Sequence, residues 1–132
     1  MKAPFSGGCM CGAIRYACHA EPKFQLICQC THCQKITGTG HALQFAVDME
    51  KTTVTGDVKT FTLISDAGNP VQSAFCGECG NPIYKVTSRI PGAFVFHAAT
   101  LDDPATFKPT FHVYARSAQP WDRIDPALED RG

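Results

Sequence analysis

Cys28, Cys30 and Cys33 fall within six consecutive positions, in the run CQCTHC, and the Gly- and Thr-rich segment QKITGTG follows at once. Thiolates bind zinc tetrahedrally; structural sites close with four protein ligands, whereas catalytic sites use three and keep one position open. Two further pairs occur, Cys9 and Cys11 in GGCMCG and Cys76 and Cys79 in FCGECG. Each is wrapped in glycine, which lets the backbone fold tightly around a shared ion. Together these four make a closed site that ties the N-terminal region to the second half of the chain. The middle trio is then left to hold a second ion with one position open. A metal there lowers the pKa of bound water or a bound thiol and so presents a nucleophile at neutral pH.

Other readings of the same residues compete. Eight cysteines in 132 residues would form a disulfide framework in a secreted chain, but tight C-x-C and C-x-x-C pairs in a reducing compartment suit metal better. Cys76 and Cys79 alone would make a redox dithiol, yet no thioredoxin-like βαβ pattern surrounds them. His32 or His41 would close the middle site as a fourth ligand. Cys18 ends a strand and reads as a small buried apolar residue. His97, within FVFHAA, reads as a core histidine, and His19 and His112 have no partner that spacing identifies.

The length bounds one domain over residues 1–132, with a core from about residue 5 to 121 and a tail over 122–132. Formal net charge is zero and no Lys/Arg cluster offers the footprint that a phosphate backbone requires, which argues against nucleic acid. The apolar run GAFVFHAA at 92–99 is too short to cross a bilayer. The opening MKAPFSGGCMCG lacks the apolar stretch of a secretory signal, so the expected location is the cytoplasm.

The elements that must position the cysteines read mainly as strands. AIRYAC (13–18), FQLIC (24–28), ALQFAV (42–47), KTFTLIS (59–65), VQSAF (71–75), PIYKVTS (82–88), AFVFHA (93–98) and TFHVYA (110–115) are rich in β-branched and aromatic residues. Glycine-containing turns such as TGTG, TGD, AGNP and CGNP separate many of them. HCQKITG (32–38) predicts a short helix ended by Gly38. The tail PWDRIDPALEDRG reads as irregular, packed by Trp121 and Ile124.

Four segments, GGCMCGAIRY, CQCTHCQKITG, FCGECGNPIY and ATLDDP…FHVYARSAQPW, in this order, resemble the glutathione-dependent formaldehyde-activating enzyme family from about Gly7 to Trp121. The resemblance implies a tent-like, zinc-stapled fold of packed antiparallel sheets with short helical turns. It implies two zinc ions per chain: a structural one on Cys9, Cys11, Cys76 and Cys79, and a functional one on Cys28, Cys30 and Cys33. The implied activity is addition of the glutathione thiol to formaldehyde, giving S-hydroxymethylglutathione, a carbon–sulfur lyase reaction. One departure is Gln29, where the family commonly has histidine.

The expected mechanism holds a substrate thiolate at the open position, next to a small aldehyde whose developing alkoxide needs a donor. Lys35, Thr37 and the backbone amides of Gly38 and Gly40 are candidates, because they directly follow the trio. Arg15, Arg89 and Arg116 are candidates for the carboxylate of a glutathione-like ligand. The rival is a non-catalytic zinc module that binds a thiol or a protein partner. A thiol–disulfide enzyme is a third reading, marked by a free cysteine of low pKa.

Overall fold

The computed structural model describes residues 1–65 and 67–132. Among these the strands are β1 (Phe5–Gly8), β2 (Arg15–Cys18), β3 (Phe24–Cys28), β4 (Ala42–Asp48), β5 (Thr52–Thr55), β6 (Val58–Ile64), β7 (Pro70–Cys76), β8 (Pro82–Thr87), β9 (Ala93–His97), β10 (Phe111–Val113) and β11 (Glu129–Asp130). The α-helix is α1 (Thr31–Thr37). A small sheet runs β1-β2-β5, and a large one runs β11-β10-β3-β4-β9-β8-β7-β6. The chain is mainly β, as expected. The large sheet is mixed rather than purely antiparallel, because β10 pairs in parallel with both β3 and β11. No helix among the described residues is long and apolar enough to cross a membrane.

The two faces of the large sheet do different work. Cross-strand partners share a face, and so do residues two apart along a strand. Phe45 pairs with Phe96 and Tyr84 with Phe96, which puts all three on one face. Ile14, Tyr16 and Cys18 of the small-sheet region cover that face. Tyr16 stacks on Phe96 with centroids 3.9 Å apart, and its hydroxyl pairs with Thr100 Oγ1 at 2.8 Å. Phe45 and Phe96 are fully buried, and each contributes about 1.5–3 kcal/mol of transfer free energy. This is the main core.

The opposite face carries Phe24, Leu26 and Cys28 of β3, Gln44 and Ala46 of β4, Val95 and His97 of β9, and Lys85 and Thr87 of β8, by the same register. Cys28 and Leu26 join Cys33, Ala42 and Phe111 in a second apolar cluster against α1. The helix begins where Cys30 accepts the Cys33 N–H on its sulfur at 3.3 Å, an N-cap role usually filled by an oxygen. It ends at Gly38, whose φ of 72° is the left-handed conformation glycine adopts without penalty. The tail departs from expectation: Trp121 is 67% exposed and packs nothing down. The segment is held by Asp122 against His41 and by β11 beside β10.

Candidate metal centres and the adjoining cleft

The sulfurs of Cys9, Cys11, Cys76 and Cys79 all lie within 4.8 Å of one another. A tetrahedron with sulfur about 2.3 Å from its centre has edges of about 3.8 Å. Cys9–Cys11 and Cys11–Cys76, at 3.6 and 3.7 Å, match that edge. Backbone amides point at the sulfurs, Ile14 N–H at Cys9 (3.2 Å) and Glu78 N–H at Cys76 (3.4 Å). Such bonds fix ligand orientation and favour the thiolate. Gly80 closes the second turn with its N–H on Cys76 O, and Asn81 Oδ1 accepts the Met10 N–H at 2.9 Å, joining the two knuckles. Burial raises the Cys9 pKa, but the Ile14 N–H and the neighbouring thiols bring it down to about 6. The donor set suits a soft divalent ion such as zinc and leaves no side for a substrate.

Cys28, Cys30 and Cys33 form a second group, again with all sulfurs within 4.8 Å. Strand β3 delivers Cys28, the turn after it delivers Cys30, and α1 turns Cys33 back towards them. Among the described residues no imidazole joins this group. His41 is instead engaged by Asp122, and His32 lines the cleft without entering the ligand set. The three thiols cannot all ionise alone: Cys28 and Cys33 push Cys30 down, while they themselves are pushed up. Three sulfurs converging from β3, the turn and α1 form a soft donor set open on the cleft side. These residues therefore also fit a metal ion.

The trio lines a cleft of about 610 Å³, a size within the roughly 300–1,000 Å³ of ligand pockets. Its walls include Leu26, Ile36, Val95, Phe111 and Val113. Its rim carries three exposed guanidinium groups. Arg89 donates to the Tyr114 hydroxyl, Arg116 lies 4.7 Å from the Tyr114 ring centroid, and Arg131 lies 4.1 Å from that of Phe111. Tyr114 holds φ at 60° in the left-handed region, a conformation that costs a bulky residue about 1–3 kcal/mol and clusters at functional sites.

Lys35, Thr37, Gly38 and Gly40, which follow the trio in sequence, do not line the cleft. Lys35 is exposed. Thr37 Oγ1 donates to Cys33 O at 2.8 Å, Gly38 is the helix C-cap, and Gly40 abuts Asp122. Arg15 is engaged by Asp102, whereas Arg89 and Arg116 are on the cleft rim. The sheet contributes further polar groups to the cleft. Lys85 projects into it from β8 and Gln44 from β4. Burial disfavours the Lys85 ammonium, but Cys33, Cys28 and Cys30 outweigh it and hold its pKa above the ordinary lysine range. His97, the cross-strand neighbour of Gln44, is pushed down to about 4 by burial and by Lys85, so it stays neutral. The signal was one lysine among apolar residues of PIYKVT, on the face its register shares with Val95.

A search of solved structures finds a Rhodobacter sphaeroides protein, determined in a structural-genomics programme, with the same fold at a TM-score of 0.58 and 17% identity. The likeness covers 74% of this chain and 87% of that one. No curated protein sequence matches the chain. The family model described as "Glutathione-dependent formaldehyde-activating enzyme" matches residues 4–117. With most of its length inside that match, the chain belongs to the glutathione-dependent formaldehyde-activating enzyme family.

Proposed function

We propose that the protein holds two zinc ions, one closed by Cys9, Cys11, Cys76 and Cys79 and one on Cys28, Cys30 and Cys33, and that the second site joins a glutathione-like thiol to formaldehyde or a related small aldehyde. The observation that carries this reading is a trio of converging sulfurs lining a ligand-sized cleft, with no His, Cys, Asp or Glu among the described residues joining them as a fourth ligand. Zinc bound there supplies the Lewis acidity that keeps a substrate sulfur as thiolate at neutral pH. Arg89 and Arg116 on the rim suit the carboxylates of such a thiol, since guanidinium groups pair carboxylates in a bidentate way. The apolar walls exclude water, which strengthens every charge interaction inside. Lys85 offsets the excess negative charge of the sulfur cluster.

The reaction is a carbon–sulfur bond formation. The thiol proton leaves for solvent, the sulfur pair attacks the carbonyl carbon, and the carbonyl π pair moves onto oxygen, which takes up a proton. Exchange NMR of glutathione with formaldehyde tests it: the protein accelerates interconversion with S-hydroxymethylglutathione, and Cys30→Ser abolishes the acceleration. Bound glutathione without acceleration would identify a thiol-binding module instead.

A further inference from the structure

The reaction needs a place for the aldehyde oxygen, and the cleft contains a donor and an acceptor, Lys85 and Gln44 Oε1, that no hydrogen bond among the described residues uses up. Gln44 is 1% exposed, lines the cleft, and sends its Nε2 towards Cys33 Sγ at 3.9 Å. Its Oε1 is buried with no hydrogen-bond partner among the described residues. An orphaned buried acceptor is unfavourable, so it marks a position where a ligand donor is to arrive. Lys85 reaches the same cleft from the same face of the sheet, two strands away from Gln44 across β9. Val95 pairs with Lys85 and His97 with Gln44, so these two β9 residues stand between the two polar side chains on that face.

Resting on the reading above, we propose that Lys85 and Gln44 form the subsite for the carbonyl oxygen of the small aldehyde. The Lys85 ammonium donates to that oxygen as negative charge develops on it. When the carbon–sulfur bond has formed and the π pair has passed to oxygen, Lys85 delivers one proton and is reprotonated from solvent. The resulting hydroxyl has one hydrogen to give, and Gln44 Oε1 accepts it. The pair therefore recognises an oxygen that starts as a pure acceptor and ends as a donor. Without Lys85 the alkoxide would form against the charge of the sulfur cluster, the least favourable arrangement in the cleft.

Two measurements on the zinc-loaded protein test the subsite separately from catalysis. The first compares affinities for S-(2-hydroxyethyl)glutathione and S-ethylglutathione, stable thioethers that differ only in the hydroxyl. The wild type binds the hydroxyl form about tenfold more tightly, and Gln44→Met removes that preference without changing zinc content or melting temperature by more than a few degrees. The second is the exchange rate. Lys85→Met loses about 10²–10³-fold of the protein-dependent rate while glutathione affinity changes by less than about threefold, and Lys85→Arg recovers part of the loss. An unchanged hydroxyl preference in Gln44→Met overturns the acceptor, whatever the catalytic result. A loss in Lys85→Met that resides wholly in thiol affinity overturns the donor and leaves Lys85 as a counter-charge only. Absence of acceleration in the wild type would overturn the function instead, while the hydroxyl comparison would still decide the subsite.

Discussion

His41 Nδ1 lies 2.9 Å from both carboxylate oxygens of Asp122, a residue 81 positions further along the chain. The side chains are only 21% and 10% exposed, and Gly40 beside them has no room to spare: a Cβ there would sit 2.2 Å from Asp122 Cγ. One contact thus seats the tail against the start of β4. Asp122→Ala and Gly40→Ala are each expected to cost about 1–2 kcal/mol in urea unfolding. Because both break the same contact, the double variant should lose no more than the worse single one. Simple addition of the two losses would show that Gly40 and Asp122 act independently.

Much of this arrangement is legible in the sequence because cysteine spacing and β-alternation are local signals. The three cysteine groups assemble as their spacing implies, and the helix ends at Gly38 as expected. Strand β1 was not legible, because FSGG carries two glycines where a strand normally shows packing side chains. Strand β5 (TTVT) was hidden by its shortness, and β11 by two acidic residues that read as tail. Lys85 and Gln44 are remote in sequence from the trio, and only the register of β3, β4, β9 and β8 brings them to one face. The tail anchor was misread because a lone tryptophan suggests burial, whereas the burial there falls to Asp122.

Gly7 makes a sharper packing test. A Cβ at this position would lie 2.3 Å from Thr100 O and 2.4 Å from Tyr16 Oη, both on rigid, buried partners. Gly7→Ala should therefore cost about 2–4 kcal/mol, by parting β1 from the turn that bridges it at Leu101. A melting temperature within a degree or two of wild type would mean that β1 is free to shift.

Asp102 supplies a pH dependence with a defined sign. Arg15 grips its carboxylate with two nitrogens, at 2.9 and 2.6 Å, and Ser6 Oγ donates at 2.7 Å. The Arg15 bond, then that of Ser6, lowers the Asp102 pKa from 3.8 to about 2. A depressed folded-state pKa stabilises the protein above the unfolded value, and this contribution is lost as pH falls from about 4 to about 2. Both side chains are about half exposed, at 46% and 49%, so solvent screening limits the contribution to about 0.5–1 kcal/mol. Asp102→Asn should melt a few degrees lower than wild type at pH 7, less so in high salt, and should match it near pH 2. A deficit that persists at pH 2 would assign the loss to packing rather than charge.

The two sulfur clusters should respond differently to loss of their ligands. Cys9 and Cys76 are buried in the main core, and their knuckles connect the small sheet to the β7–β8 turn through Asn81. On the proposed two-zinc reading, metal binding there is folding free energy, because the unfolded chain has no such site. Cys76→Ser should lower the melting temperature by roughly 10 °C or more and release one metal equivalent. Cys28 and Cys33 are buried in a smaller cluster, with Cys30 packed against it, beside an open cleft. Cys30→Ser should also release one equivalent, yet shift melting by only about 2–4 °C. Chelator titration followed by metal analysis and calorimetry separates the steps: the middle ion leaves first with little unfolding, and the second leaves as the protein melts. Release of both ions in one cooperative step would mean that the trio is as much a part of the core as the closed site.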